Sequence, residues 1–228
     1  RLLSDRSPVQ LRPGAPDTTT GENNLLDVTN LACVRGDRPL FQNLSFGLKP
    51  GELLHIVGAN GSGKTTLLRT LCGLSQPAAG EIRWRSADIH ELGDDYHRQL
   101  AYVGHHNGIQ GELTARENLL VAACLAGATG AADADAVLAQ VGLAAYRGFA
   151  AKILSQGQKR RLALARLVVA RKPLWVLDEP FSALDARSSA TMTARLSEHL
   201  AGGGLVVITS HQDLAIELKT VLSVRLDS

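Results

Sequence analysis

The chain has 228 residues, of which 45% are hydrophobic and 20% are charged, so it can form a buried core and is not a disordered polypeptide. Its 24 basic and 22 acidic residues nearly cancel, to a formal net charge of +2, which excludes a strong overall attraction to nucleic acid. It contains no apolar run of about 18 residues, which argues against a membrane-spanning helix. The spacing of its 3 cysteines fits neither a metal site nor a disulfide framework, so we expect reduced thiols.

In chain order, residues 1–24 contain prolines and no hydrophobic period after Leu11, which predicts a flexible N-terminal tail. From residue 25 onward, short apolar runs between turn residues predict strands at 25–28, 44–48, 53–57, 100–103, 174–177, 204–209 and 221–226. Helices are predicted from about Lys64 and over 115–145 and 157–172. This alternation predicts an α/β fold with a mostly parallel sheet, and the closely spaced strands within 25–48 predict antiparallel pairing.

A glycine-rich segment follows the predicted strand 53–57 and fits the pattern G-x-x-x-x-G-K-[ST]. Its glycines allow the backbone N–H groups to surround phosphate oxygens, Lys64 can reach the β- and γ-phosphates, and the Thr65 hydroxyl can ligate Mg²⁺. The candidate nucleotide-binding residues are Gly58, Ala59, Asn60, Gly61, Ser62, Gly63, Lys64, Thr65 and Thr66. The alternative is a turn that only caps a helix, and the strand–loop–helix context favours nucleotide binding.

Two carboxylates end the predicted strand 174–177. Asp178 is suited to the Mg²⁺ shell, and Glu179 could orient and polarise an attacking water. Taken alone, such a pair could equally be a solvated turn. The glycine-rich loop in the same chain favours a catalytic interpretation.

The segment Leu154-Ser155-Gln156-Gly157-Gln158 resembles the LSGGQ signature of ATP-binding cassette (ABC) ATPases. By itself it could be a plain helix N-cap formed by Ser155. The order of elements is more specific: glycine-rich loop, signature, acidic strand end, the stretch Ser182–Asp185, and His211 after the strand 204–209. This order is similar only to the ABC family, over residues 25 to about 226.

The resemblance implies a P-loop ATPase core with a mostly parallel sheet, an antiparallel β subdomain and a helical subdomain at about 106–160, all within a nucleotide-binding domain of residues 25–228. It implies ATP hydrolysis with Mg²⁺, with Lys64, Glu179 and His211 as catalytic groups. Ser155, Gly157 and Gln158 would bind the ATP of a partner subunit, so that a homodimer holds two ATP molecules. Asp185 would lie in the loop that crosses between the subunits.

Two positions depart from the family pattern. Arg35 stands where an aromatic ring commonly stacks on adenine, so its guanidinium could stack instead or adenine could be held weakly. The glutamine expected after strand 100–103 is absent, and His105 falls at its position in an ungapped comparison, with His106 one residue away. His105 could contact Mg²⁺-bound water, and it is therefore a candidate for the metal site.

Within the family, the stretch 104–109 and the compact helical region resemble the haem-exporter ATP-binding subunits of cytochrome c maturation systems. That resemblance implies a peripheral subunit on the cytoplasmic face of a bacterial inner membrane, bound to membrane-spanning partners and using ATP for haem export or handling. The alternatives are the ATPase of another small exporter, a soluble ABC ATPase without a transport role, and a regulator that binds ATP without hydrolysis. The basic stretch 147–172 is interpreted as a solvated helix face that partly serves nucleotide phosphates rather than lipid, and no pattern predicts nucleic-acid binding.

Overall fold

The computed structural model describes residues 9–11, 23–36, 38–127, 134–210 and 221–226. The strands are β1 (Val9–Leu11), β2 (Leu26–Arg35), β3 (Arg38–Leu48), β4 (Leu53–Gly58), β5 (Ala79–Trp84), β6 (Ala87–Asp88), β7 (Leu100–Val103), β8 (Leu174–Asp178), β9 (Leu205–Thr209) and β10 (Val221–Leu226). The α-helices are α1 (Lys64–Leu71), α2 (Ile89–Leu92), α3 (Asp94–His97), α4 (Ala115–Leu125), α5 (Ala134–Gln140), α6 (Gln156–Ala170) and α7 (Ala186–Ala201). Among the described residues, no helix is both long enough and apolar enough to cross a bilayer.

A parallel sheet forms the centre of the fold, in the order β1-β10-β4-β9-β8-β7. Strands β8 and β9 are buried at every position, because the side chains on each face of this sheet pack into a hydrophobic core. This parallel arrangement confirms the prediction from the alternating strands and helices. It also brings the ends of β4, β8 and β9 to one edge, where the glycine-rich loop and the two carboxylates meet.

An antiparallel sheet with the order β3-β2-β5-β6 packs on one face of the parallel sheet. The pairing of β2 with β3 confirms the predicted antiparallel strands within 25–48. Strands β5 and β6 extend this sheet and have no counterpart among the predicted strands. Residues of the opposite face of the parallel sheet pack with α6 and α7 in a second core, as the alternation of side chains along a strand requires.

A third core joins α4, α5 and the outer face of α6. Helices α4 and α5 lie within the predicted helical subdomain, at about 106–160, whereas α6 extends beyond it to Ala170. The limits of that subdomain stay a prediction. The N-terminal part differs from expectation at one point. Within the predicted tail 1–24, β1 pairs in parallel with β10, so three residues of that segment belong to the central sheet.

Candidate active site

The glycine-rich loop connects β4 to α1 at the edge of the parallel sheet. Gly61 and Gly63 have φ values of 84° and 102°, a region that favours glycine. At Gly58, a Cβ would lie 2.5 Å from the Leu226 carbonyl oxygen, so a larger residue would displace β10 or the loop. No side chain caps the start of α1, so the loop and the helix N-terminus present backbone N–H groups that suit an anion.

Lys64 and Ser62 place polar atoms inside this loop. The Lys64 Nζ donates to the carbonyl oxygens of Gly58 (2.7 Å) and Ala59 (3.1 Å), and the side chain is largely buried. Ser62 is 1% exposed, and its Oγ has no hydrogen-bond partner within the described part of the chain. A buried hydroxyl without a partner is costly. The loop therefore offers a donor that a bound phosphate could satisfy.

Asp178 lies at the end of β8, 3% exposed, and accepts two hydrogen bonds from hydroxyl groups. Thr65 Oγ1 donates to its Oδ2 at 2.9 Å, and Thr209 Oγ1, at the end of β9, donates to its Oδ1 at 2.7 Å. The Thr209 hydroxyl also accepts from the Glu179 backbone N–H at 3.0 Å. A continuous hydrogen-bond network thus runs from the start of α1 to the residue that follows β8.

Glu179 has a left-handed backbone, with φ at 49°. A non-glycine residue in this region stores strain and persists only where its surroundings hold it, as commonly happens at active sites. Glu179 borders a cavity of about 500 Å³, which we call the nucleotide cavity. The predicted site residues that line this cavity are Arg35, Asn60, Gly61, Gly63, Lys64, Thr65, Thr66, His105, Asp178 and Glu179; Leu40 and Ser182 complete its wall.

The two positions that depart from the family pattern, Arg35 and His105, both line this cavity. Arg35 lies on its wall beside Leu40, so the position fits contact with a nucleotide, and its stacking on adenine stays a prediction. Of the paired histidines, both described, His105 is the one that lines the cavity. His105 therefore shares a wall with Thr65 and Asp178, and its role toward the metal also stays a prediction.

The signature residues lie outside the nucleotide cavity of their own chain. Ser155 caps α6: its Oγ accepts from Gln158 N at 3.2 Å, and Gln158 Oε1 accepts from Ser155 N at 2.8 Å. The N-cap that sequence alone suggested is therefore present, with its turn exposed to solvent. At Gly157 a Cβ would lie 2.9 Å from the Ala183 carbonyl oxygen, so this position is tightly packed.

The remaining predicted residues are Asp185 and His211. Asp185 caps α7 by accepting from Ser188 N at 2.7 Å, and this hydrogen bond lowers the pKa of its carboxyl group. His211 lies outside the described residues.

Arg160 and Thr209 belong to the site although sequence reasoning did not select them. Arg160 is 4% exposed and contacts both the end of β8 and the loop after β7, so the expected solvated face of the basic stretch does not include it. Burial lowers the pKa of its guanidinium, whereas the nearby Asp178 and Glu179 act to raise it. Together the fold and the nucleotide cavity define a P-loop nucleotide hydrolase.

Comparison with known proteins gives the family. Residues 41–182 match the ABC transporter family. The chain belongs to the ABC transporter family, and it is an ATP-hydrolysing subunit of that family. The predictions of fold class, family and ATP hydrolysis are therefore confirmed.

Relatives of known name are similar along most of the chain. The "Cytochrome c biogenesis ATP-binding export protein CcmA" of Nitrosomonas europaea is 50% identical over 207 residues, covering 89% of this chain and 97% of that protein. The protein of the same name from Dechloromonas aromatica is 52% identical over 204 residues, covering 89% of this chain and 100% of that protein. The protein of the same name from Pseudomonas aeruginosa is 46% identical over 203 residues, covering 89% of this chain and 99% of that protein.

Solved structures show the same fold. The ATP-binding subunit of an ABC transporter is similar with a TM-score of 0.74 and 26% identity, over 82% of this chain and 80% of that one. A dimeric ATP-binding cassette in a post-hydrolysis state, bound to ADP and Pi, is similar with a TM-score of 0.74 and 25% identity, over 82% of this chain and 88% of that one.

Proposed function

We propose that ATP binds in the nucleotide cavity with its γ-phosphate at Lys64, and that Glu179 orients and polarises the attacking water. The observation that carries this proposal is the hydrogen-bond network from Thr65 through Asp178 and Thr209 to the Glu179 backbone. It fixes the carboxylate-bearing strand end relative to the phosphate-binding helix. Fixed geometry of this kind is what phosphoryl transfer requires, because catalysis there is mostly positioning and electrostatic stabilisation.

Lys64 supplies positive charge where the reaction develops negative charge. Its ammonium group contacts neutral carbonyl oxygens of its own loop. A phosphate oxygen is a stronger, charged acceptor, so ATP would draw the ammonium onto the β- and γ-phosphates. The loop N–H groups and the α1 N-terminus then stabilise the same charge without further rearrangement.

Thr65 Oγ1 and the Asp178 carboxylate would hold Mg²⁺, because both are hard oxygen ligands and lie 2.9 Å apart. When bound, Mg²⁺ supplies positive charge to the transferred phosphoryl group. Thr209 keeps Asp178 oriented throughout, since its hydroxyl bonds the other carboxylate oxygen. His105, which lines the same cavity, would contact water at this site.

The metal proposal is tested by measuring the affinity for ATP with Mg²⁺ and with EDTA, in the wild type and in Asp178→Asn. We expect Mg²⁺ to tighten binding by at least tenfold in the wild type and by less than twofold in the variant. Asp94→Asn is the control, because the Asp94 side chain is exposed and is not among the residues that line the cavity. An unchanged magnesium effect in Asp178→Asn would remove Asp178 from the metal site.

The signature turn supports a homodimer with ATP at the interface. Ser155, Gly157 and Gln158, all described, do not line the nucleotide cavity of their own chain, and Ser155 is exposed at the start of α6. A second copy could bring this helix N-terminus to the γ-phosphate. The similar dimeric cassette with ADP and Pi supports this arrangement. Sedimentation of Glu179→Gln with ATP should show a dimer, and adding Ser155→Arg should return it to monomer; a dimer that persists would refute this interface.

At the cellular level we propose that the chain is the ATPase of a cytochrome c biogenesis system. It would act peripherally on the cytoplasmic face of the inner membrane, with membrane-spanning subunits and haem as the group that is exported or handled. The names of relatives that are 46–52% identical over most of both chains support this proposal.

Complementation tests the cellular proposal. In a bacterium that lacks its own cytochrome c biogenesis ATP-binding export protein, the wild-type chain should restore haem-stained c-type cytochromes. Glu179→Gln, expressed to the same level, should not. Failure of the wild-type chain to restore them, with its ATPase activity and expression intact, would favour another small exporter.

A further inference from the structure

Arg160 uses all of its hydrogen-bonding capacity inside the protein. A guanidinium group has five N–H donors. In Arg160 they meet five oxygen acceptors: Nε contacts Pro180 O (3.3 Å), Nη1 contacts Gly104 O (2.9 Å) and Asn107 Oδ1 (3.2 Å), and Nη2 contacts Asp178 O (2.6 Å) and Glu179 O (2.8 Å). Because the side chain is buried, water does not compete for these contacts. These contacts connect the end of β8 to the loop after β7, and we call this arrangement the Arg160 junction.

One side of this junction holds the strained backbone at Glu179. The left-handed conformation of Glu179 is supported at both ends of the residue, by Thr209 at its N–H and by Arg160 at its C=O. Arg160 also binds the carbonyl groups before and after it, at Asp178 and Pro180. The direction of the Glu179 side chain therefore depends on Arg160.

The other side of the junction holds the loop after β7. Arg160 binds Gly104 O and the Asn107 side chain, which flank His105 on the wall of the nucleotide cavity. Arg166, further along α6, binds the carbonyl oxygens of Asn107 and Gly108. Helix α6, which begins at the signature turn, thus fixes both the loop and the strand end.

We propose that Arg160 is a positioning residue that holds the Glu179 backbone in its active conformation and ties it to the loop 104–108, so that the two move together. The proposal rests on the proposed role of Glu179. Arginine is required here because only a planar fork with five donors can bridge the two segments; lysine keeps the charge but has one nitrogen. Arg160 thereby acts on hydrolysis through Glu179 and not through contact with ATP.

The test compares Arg160→Lys and Arg160→Met with the control Arg161→Gln. Arg161 is the next residue on α6, and it also donates to two backbone carbonyl groups, those of Val141 and Gly142, which lie outside the nucleotide cavity. For each variant we would measure the melting temperature, kcat, and KM for ATP. We expect kcat to fall at least tenfold in both Arg160 variants with KM changed less than threefold, and to change less than twofold in Arg161→Gln.

A double-mutant cycle distinguishes positioning of Glu179 from a general loss of structure. In the Glu179→Gln background, Arg160→Lys should change the residual single-turnover rate less than twofold, because the group it positions is already disabled. Equal proportional losses in both backgrounds would overturn the proposal, as would a folded Arg160→Lys with wild-type kcat. Loss of folding in both Arg160 variants would also overturn it, because Arg160 would then be a residue of the fold. If Glu179→Gln alone hydrolyses ATP at the wild-type rate, the role of Glu179 fails instead.

Discussion

Thr209 gives a quantitative test of the network at the strand ends. Its side chain is fully buried, and its single hydroxyl donates to Asp178 Oδ1 and accepts from Glu179 N. Thr209→Val keeps the shape but leaves a buried carboxylate oxygen and a backbone N–H without this partner. Orphaned buried groups cost about 1–3 kcal/mol each, so we expect the free energy of unfolding to fall by about 3 kcal/mol. That corresponds to about a hundredfold change in the folding equilibrium.

The matched control is Thr209→Ser, which keeps the hydroxyl and loses a methyl group worth about 1 kcal/mol. Denaturant unfolding, followed by circular dichroism at constant m-value, measures both variants. The ATPase rate should fall at least tenfold in Thr209→Val, because the Glu179 backbone loses one of its two supports, and stay within threefold in Thr209→Ser. If the two variants unfold with equal free energies and hydrolyse ATP equally, the hydroxyl does not hold this site together.

Three further predictions concern the loop, a helix end and a half-buried histidine. Gly58→Ala should weaken ATP binding at least tenfold, measured by titration, because its Cβ would lie 2.5 Å from the Leu226 carbonyl oxygen. The control Gly148→Ala, at an exposed position where an added Cβ meets open space, should leave binding unchanged. Tyr96→Phe should lower the free energy of unfolding by about 1–2 kcal/mol, since Tyr96 OH donates to the Leu71 carbonyl oxygen at the end of α1 (2.6 Å) in a buried setting; equal stability would contradict this. Burial lowers the pKa of His199, whose ring stacks on Trp175 with the ring centroids 3.9 Å apart. As the pH drops through the ordinary histidine pKa of about 6.5, the unfolded chain therefore binds more protons than the folded chain, and the free energy of unfolding should fall. This loss between pH 7.5 and 5.5 should be smaller in His199→Gln than in the exposed-site control His90→Gln, and identical pH profiles would refute the assignment.

The parts of the site that were predictable are those encoded by neighbouring residues. The loop 58–65 and the pair Asp178–Glu179 each occupy a short segment after an apolar run, and the ends of parallel strands meet at one edge. The order of elements then specified the family. For these reasons the P-loop, the acidic strand end and the parallel sheet could all be predicted from the sequence alone.

Other features could not be predicted from the sequence, because they depend on contacts between residues that are far apart in the chain. Arg160 lies in a basic stretch whose composition is typical of a solvated helix, and only the packing of α6 against the ends of β7 and β8 shows that it is buried. Thr209 ends an apolar strand and has the β-branched side chain that strands favour, so its hydroxyl was not distinctive. Strand β1 has its partner β10 at the other end of the chain, and no local pattern signals such pairing.

In the proposed mechanism, Glu179 is held by Thr209 and Arg160 and activates water for ATP hydrolysis, while Lys64 and the loop bind the nucleotide. The most direct measurement is the single-turnover rate of ATP hydrolysis by Glu179→Gln, together with its affinity for ATP in Mg²⁺. We predict an affinity within threefold of the wild type and a hydrolysis rate lowered at least a hundredfold. A wild-type hydrolysis rate in that variant would contradict the account.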